Sequence, residues 1–140
     1  MTVRDHNLES IGEVFATFKI KQTAGVDDLN DSHLGKAVTM TASYEVGPGL
    51  DGNTLLGKLV DLTLEDRDTG RRLATVQIAG VCKLPITTTY PVIGNRVLCG
   101  ASATVKQAPA LAANDPAGGN VARGTVLAVN GTTDCTILLN

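Results

Sequence analysis

The sequence predicts an all-β protein: a small β-barrel or sandwich domain of roughly eight strands, with an extended N-terminal arm and little or no helix. Three observations lead there. Apolar residues recur at every second position in several segments, and no window sustains a 3.6-residue period between capping residues. Many of the 15 glycines and five prolines fall between those segments, where turns are needed. The composition is 43% hydrophobic with two Phe, two Tyr and no Trp, so the core is built from aliphatic and β-branched side chains. A chain of 140 residues buries enough surface for one domain without staples, here residues 13–140 behind an arm at 1–12.

In order, residues 1–12 are polar, mixed in charge and without a period, with Leu8 and Ile11 as their main apolar anchors. Such a stretch either frays or orders on a neighbouring subunit. From Glu13 to Lys21, Val14, Ala16, Phe18 and Ile20 alternate with Phe15, Thr17, Lys19 and Lys21, a first strand. Gln22 to Lys36 reads as a solvated acidic loop holding Asp27, Asp28, Asp31 and His33. A short strand follows at Ala37 to Tyr44, with Val38 and Met40 opposite Thr39 and Thr41, and Gly47 to Asn53 is loop by its Gly-Pro-Gly composition.

The spine of the prediction is a long hairpin. Its first strand, Leu55 to Asp66, places Val60, Leu62 and Leu64 on an apolar face. A polar turn, Asp66 to Arg71, uses Gly70 for positive φ. The return strand sets Ala74, Val76, Ile78, Gly80, Cys82 and Leu84 against Thr75, Gln77, Ala79, Val81 and Lys83, and Pro85 ends it. Short strands at Arg96 to Cys99 and Ala103 to Gln107 come next, then a small-residue loop from Ala108 to Asn120. Val121 to Val129 and Asp134 to Leu139 close the chain as a hairpin joined at Asn130-Gly131, the pair most tied to a type I′ turn.

The residues needed for catalysis do not converge in the sequence. His6 falls in the arm, His33 in the acidic loop, and the four serines lie outside any Gly-x-Ser-x-Gly context. Asp61 and Glu65 share a wet strand face, where carboxylates are ordinary. The acidic loop lacks the glycine and glutamate positions of a calcium loop, and the glycines at 47–52 precede neither Gly-Lys-Ser/Thr nor a helix. Cys82, Cys99 and Cys135 lie in or at the end of apolar strands without metal-ligand spacing, so they read as reduced core residues. No cofactor is expected. With four aromatic rings and a net charge of −2, neither a nucleic-acid groove nor a sugar platform is expected. No apolar run approaches the ~18 residues that span a bilayer, so no membrane role is expected and synthesis is expected to be intracellular.

The charge is unevenly divided. Residues 1–70 carry twelve acidic and six basic side chains, a net of −6, and residues 71–140 carry two acidic and six basic, a net of +4. Either the halves pair within one fold, or unlike patches meet between copies.

Two passages resemble a known family. Arg72-Leu-Ala-Thr-Val-Gln-Ile-Ala-Gly-Val-Cys-Lys-Leu-Pro, followed by Tyr90-Pro-Val-Ile-Gly-Asn-Arg-Val-Leu-Cys-Gly, resembles the head decoration (cement) proteins of tailed bacteriophages. The ending, Ala122 to Asn130 and Asp134 to Asn140, resembles the hairpin with which those proteins close, so the likeness spans about half the chain, from Leu55 on. It implies a β-barrel or β-tulip module, often a homotrimer, made in the host cytoplasm and bound to the outer surface of the virion capsid. There it would lock neighbouring major capsid proteins together without catalysis. A tail or baseplate component of similar fold is the alternative within the virion, and a ligand-binding or enzymatic barrel the alternative outside it. The resemblance transfers no site residue. The arm's Val3, Arg4, Leu8 and Ile11 and the charged turn's Arg67 and Arg71 are the candidate contacts with capsid or neighbouring subunit.

Overall fold

A computed structural model describes residues 12–64, 67–110 and 122–140. Among the described residues, eleven strands run in the order β1 (Val14–Ile20), β2 (Gln22–Thr23), β3 (Val26–Asp27), β4 (Ala37–Ala42), β5 (Glu45–Pro48), β6 (Gly57–Leu62), β7 (Leu73–Pro85), β8 (Val97–Gly100), β9 (Thr104–Gln107), β10 (Thr125–Asn130) and β11 (Asp134–Leu139). The helical content among the described residues is one 3-10 turn at Asp31–His33, capped by Asn30. The all-β prediction holds, with short strands added that alternation could not mark.

Five strands close a barrel. They follow the order β1-β5-β4-β6-β7, and β1 returns to pair antiparallel with β7. The β1–β5 contact is parallel, Lys19 opposite Glu45 and Ile20 opposite Val46. The interior is filled: Ile20, Leu29, Val38, Val46, Leu59, Leu62, Ala74 and Val76 form one buried cluster, each 6% exposed or less. Each large aliphatic so buried stabilises the fold by about 1.5–3 kcal/mol, which is how a core with so few aromatics suffices.

β7 is longer than the barrel needs. Its first half, from Leu73, pairs with β1 and β6; its second half, Gly80 to Pro85, pairs with β11, which carries β10 beyond it. Gly80 sits at the change of partner with φ +96, a backbone conformation that a Cβ would strain. The β8–β9 hairpin lies over this second half, tied by Thr87 N to Val105 O (3.0 Å) and by mutual bonds between Val97 and Arg123. Cys82, Leu84, Ile86, Val97, Cys99, Val105, Val126, Cys135, Ile137 and Leu139 fill the space between, with Ala37 and Leu55 from the barrel's near end. One mouth of the barrel is therefore covered by a second packed layer.

The sequence reading needs four corrections. Val60 and Leu64, assigned to the apolar face with Leu62, are 42% and 92% exposed, while Leu59 and Leu62 are buried. A bulge between Leu59 and Asp61 inserts one residue and moves Val60 to the outside. Met40 is likewise outside, at 44% exposure, while Ala37, Val38 and Thr39 are all buried, because that half of β4 is covered on both faces and a second bulge separates Met40 from Ala42. Glu45–Pro48, read partly as loop, is a strand, with Pro48 at its end where its missing N–H costs least. The closing hairpin is present, but Asn130 belongs to β10 and pairs with Asp134. Only Gly131, φ +56, takes positive φ in its turn, whereas a type I′ turn needs two such residues. The arm and most of the Ala108 to Asn120 loop lie outside the described residues.

Candidate interaction surface

The catalytic candidates are already engaged locally. His33 Nδ1 accepts the Asn30 N–H at 3.1 Å, closing the cap of the 3-10 turn. The acidic loop disperses its carboxylates: Asp27 accepts from Gln22 Nε2 (3.0 Å), Asp28 from Thr23 Oγ1 (3.1 Å), and Asp31 pairs with Arg72 Nη2 (3.1 Å). No group of three His, Cys, Asp or Glu side chains among the described residues is arranged to hold a metal ion. All three cysteines are buried free thiols. Burial pushes Cys82 up to about 11, Cys99 to about 12 and Cys135 to about 12, so none is a thiolate at neutral pH. No helix among the described residues is long and apolar enough to cross a membrane.

The barrel mouth away from the second layer is built differently. There β1 and β6 end and β7 begins, and Lys19 pairs sideways with both Glu45 and Leu73. Leu73 in turn exchanges bonds with Thr63, its carbonyl accepting from Thr63 N (2.9 Å) and its N–H donating to Thr63 Oγ1 (2.8 Å). Leu64, two residues past β6, is 92% exposed, Leu73 at the start of β7 is half exposed and Val26 in β3 is 68% exposed, while Tyr44, in the turn between β4 and β5, is 77% exposed.

The turns that present these side chains are tightly held. Tyr44 has φ +57, in the left-handed region where a bulky side chain is strained, and its carbonyl accepts the Lys19 N–H at 2.8 Å. Val26 follows Ala24 and Gly25, φ +54 and +79, two successive positive φ values that suit a two-residue hairpin turn. Arg71 Nη2 donates to Ile20 O (2.8 Å) and Arg72 Nε to Thr63 O (2.6 Å), so both arginines fasten the 63–72 connection to the barrel. Arg72 leaves its own turn to pair with Asp31.

Of the residues singled out from sequence, Arg67 is exposed in the 63–72 connection, and Arg71 is half-buried in the bond to Ile20. Val3, Arg4, Leu8 and Ile11 lie outside the described residues. Tyr44, Val26 and Leu73 were missed, and Leu64 was assigned to the core. Tyr44 carries a usable signal, an aromatic at a polar Ser-Tyr-Glu turn. Further apolar side chains, Tyr90, Val92, Ile93 and Leu127, are exposed on the second layer, where Gly94 N bonds to Val126 O and Val126 N to Asn95 O.

No family model, no curated protein and no solved structure matches this chain.

Proposed function

We propose that this protein is a structural component of a virion, a decoration or cement protein that binds the outer surface of a phage head and stabilises the major capsid protein lattice, as a homotrimer. Support comes from the passages Arg72 to Gly100 and Ala122 to Asn140, and from the apolar side chains that the barrel's turns expose. The observation that carries the reading is Tyr44: an aromatic side chain held 77% exposed on a positive-φ turn between β4 and β5. Backbone strain at an exposed aromatic does nothing for the isolated chain and fits a side chain presented to a partner. The filled barrel leaves no lumen for a ligand, which favours a surface role over a binding barrel.

The test is reconstitution. Purified protein is mixed with expanded heads lacking it, and the particles are imaged by electron microscopy. Density at repeated positions on the head lattice supports the proposal. Density confined to tails would move the protein to the tail or baseplate, and absence from both particles would end the virion reading.

A further inference from the structure

We propose that the outer edge of β1 is a docking site for the same edge of a second copy of this chain, the two strands running antiparallel about Phe15. The proposal does not depend on the capsid reading.

The edge follows from the ladders on either side of β1. Toward β7, every residue from Val14 to Lys19 is paired; toward β5, only Lys19 and Ile20 are. β5 begins at Glu45, beside Lys19, because the turn before it sends the chain back to β4, where Ala42 pairs with Glu45. Lys19 N donates to Tyr44 O at 2.8 Å, so the main-chain groups of Lys19 point away from β7. With the strand's period of two, those of Thr17, Phe15 and Glu13 point the same way. No main-chain bond among the described residues takes up the outward groups of Phe15 or Thr17.

This edge carries none of the usual protection. Strand edges left in water are normally blunted by a charge, a proline or a bulge. Val14 to Phe18 reads Val-Phe-Ala-Thr-Phe, and the irregularity in the β1–β7 ladder places its extra residue, Ile78, on β7. Val14 and Phe15 are 49% and 46% exposed.

The boundaries of the edge select its occupant. Tyr44 lies beside Phe18 and stops an added strand there, while Gly12, φ +67, turns the chain out of the strand at the other end. The open edge is therefore residues 13–17, with Phe15 at its midpoint. A fitting strand is short, apolar at its centre and able to turn aside at its own start, and β1 of a second copy has these properties. Antiparallel pairing with Phe15 opposite Phe15 sets Glu13 opposite Thr17 at both ends. All of these residues present outward main-chain groups, enough for about six hydrogen bonds. Gly12 turns each chain aside where it would otherwise meet the other copy's Tyr44. The register with Ala16 opposite Ala16 instead drives Val14 of one copy against Phe18 and Tyr44 of the other.

Charge favours the same direction. Glu13 and Lys19 enter no ion pair among the described residues. Antiparallel pairing brings each Glu13 diagonally beside Lys19 of the other copy on one face, whereas parallel pairing sets like charges together. The two copies then share one continuous sheet, with β6, β7 and β1 of each running across a two-fold axis. In a trimer the same contact links one trimer to another.

The experiment is sedimentation equilibrium on the full chain over a range of concentrations, with amide hydrogen exchange followed by NMR at both ends of that range. The expected result is an assembly with an even number of chains, and exchange at the Phe15 and Thr17 amides that slows as concentration rises. Mixed isotope labelling is expected to show an intermolecular contact between the two Phe15 residues. Phe15→Lys sets like charges across the axis at an exposed position and is expected to weaken association at least about tenfold. Thr17→Pro removes an outward N–H that the chain's own ladder does not use, a place where an edge strand accepts proline, and is expected to weaken association to a similar extent. Thermal unfolding checks that both variants fold. Only monomers or odd-numbered assemblies, exchange at Phe15 and Thr17 that ignores concentration, or association undiminished in a folded variant would overturn the proposal.

Discussion

The Arg123 guanidinium hydrogen-bonds the carbonyl of Ile78, 45 residues earlier in the chain, where β7 leaves the barrel for the second layer. The same side chain reaches Leu55 O, Leu56 O and Asn140 O. Four segments that share no continuous strand ladder at that point are thus joined by one cation. Removing it leaves several half-buried carbonyls without a donor, each costing about 1–3 kcal/mol when desolvated. Arg123→Met, which keeps the aliphatic stem, is expected to lower unfolding free energy by about 3 kcal/mol in urea titrations. A loss under about 1 kcal/mol would show that water replaces the guanidinium freely.

Gly57 makes the next prediction. A Cβ there would strike the Gln77 carbonyl on β7, so only glycine lets β6 begin at this distance from its neighbour. Gly52, at φ +88, has open space around it, and its cost of substitution is backbone strain alone, about 1–2 kcal/mol. Gly57→Ala is therefore expected to destabilise more than Gly52→Ala, by about 2 kcal/mol further, because a strand must shift. Chemical denaturation of the two variants side by side checks the order, and equal losses would remove steric contact as the cause.

How much of this was legible in the sequence depends on the element. β1, β7, β8, β9 and β11 follow plain alternation or flanking turns, and the structure places each within a residue or two of the prediction. β6 and β4 mislead because a bulge changes the face without changing the composition, so Val60 and Leu64 look like core residues until the register with β7 is known. β2, β3 and β5 are too short for a period to declare itself. The exposed surface was half visible: the charged turn was singled out for Arg67 and Arg71, yet the exposure of Leu64, Leu73 and Tyr44 depends on which strands close the barrel. Arg123 gave no signal at all, since its four acceptors come from positions 55, 56, 78 and 140.

The buried thiols give a pH prediction. Cys82, Cys99 and Cys135 are raised from 9.0 to about 11, 12 and 12, mainly by desolvation. In the unfolded chain they ionise near their ordinary value. Above that value the unfolded state releases protons that the folded state keeps, so stability falls with rising pH. The thiol contribution is complete below about pH 9 and is lost progressively as pH climbs toward the folded values. Urea midpoints at pH 8 and pH 10 are expected to differ more for the wild type than for a triple Cys→Ala variant. Equal pH dependence would mean that the thiols are not the source. Native thiols are also expected to resist a disulfide reagent at pH 8 until the chain is unfolded.

Tyr44 separates stability from function. Its φ of +57 costs the folded state about 1 kcal/mol or more relative to residues that tolerate the left-handed region. Asn is the polar residue that accepts this conformation most readily. Tyr44→Asn is accordingly expected to leave the fold unchanged or stabilise it by about 0.5–1 kcal/mol, read from the thermal midpoint. If the β4–β5 turn faces the partner, the same variant binds expanded heads at least about tenfold more weakly, since an exposed aromatic anchor contributes on the order of 1.4 kcal/mol or more at an interface. A variant that is more stable and still binds at full strength would remove Tyr44 from the interface and leave its strained turn without a functional reason. A variant that loses both stability and binding would show instead that the Tyr44 side chain is needed to hold the β4–β5 turn against Lys19.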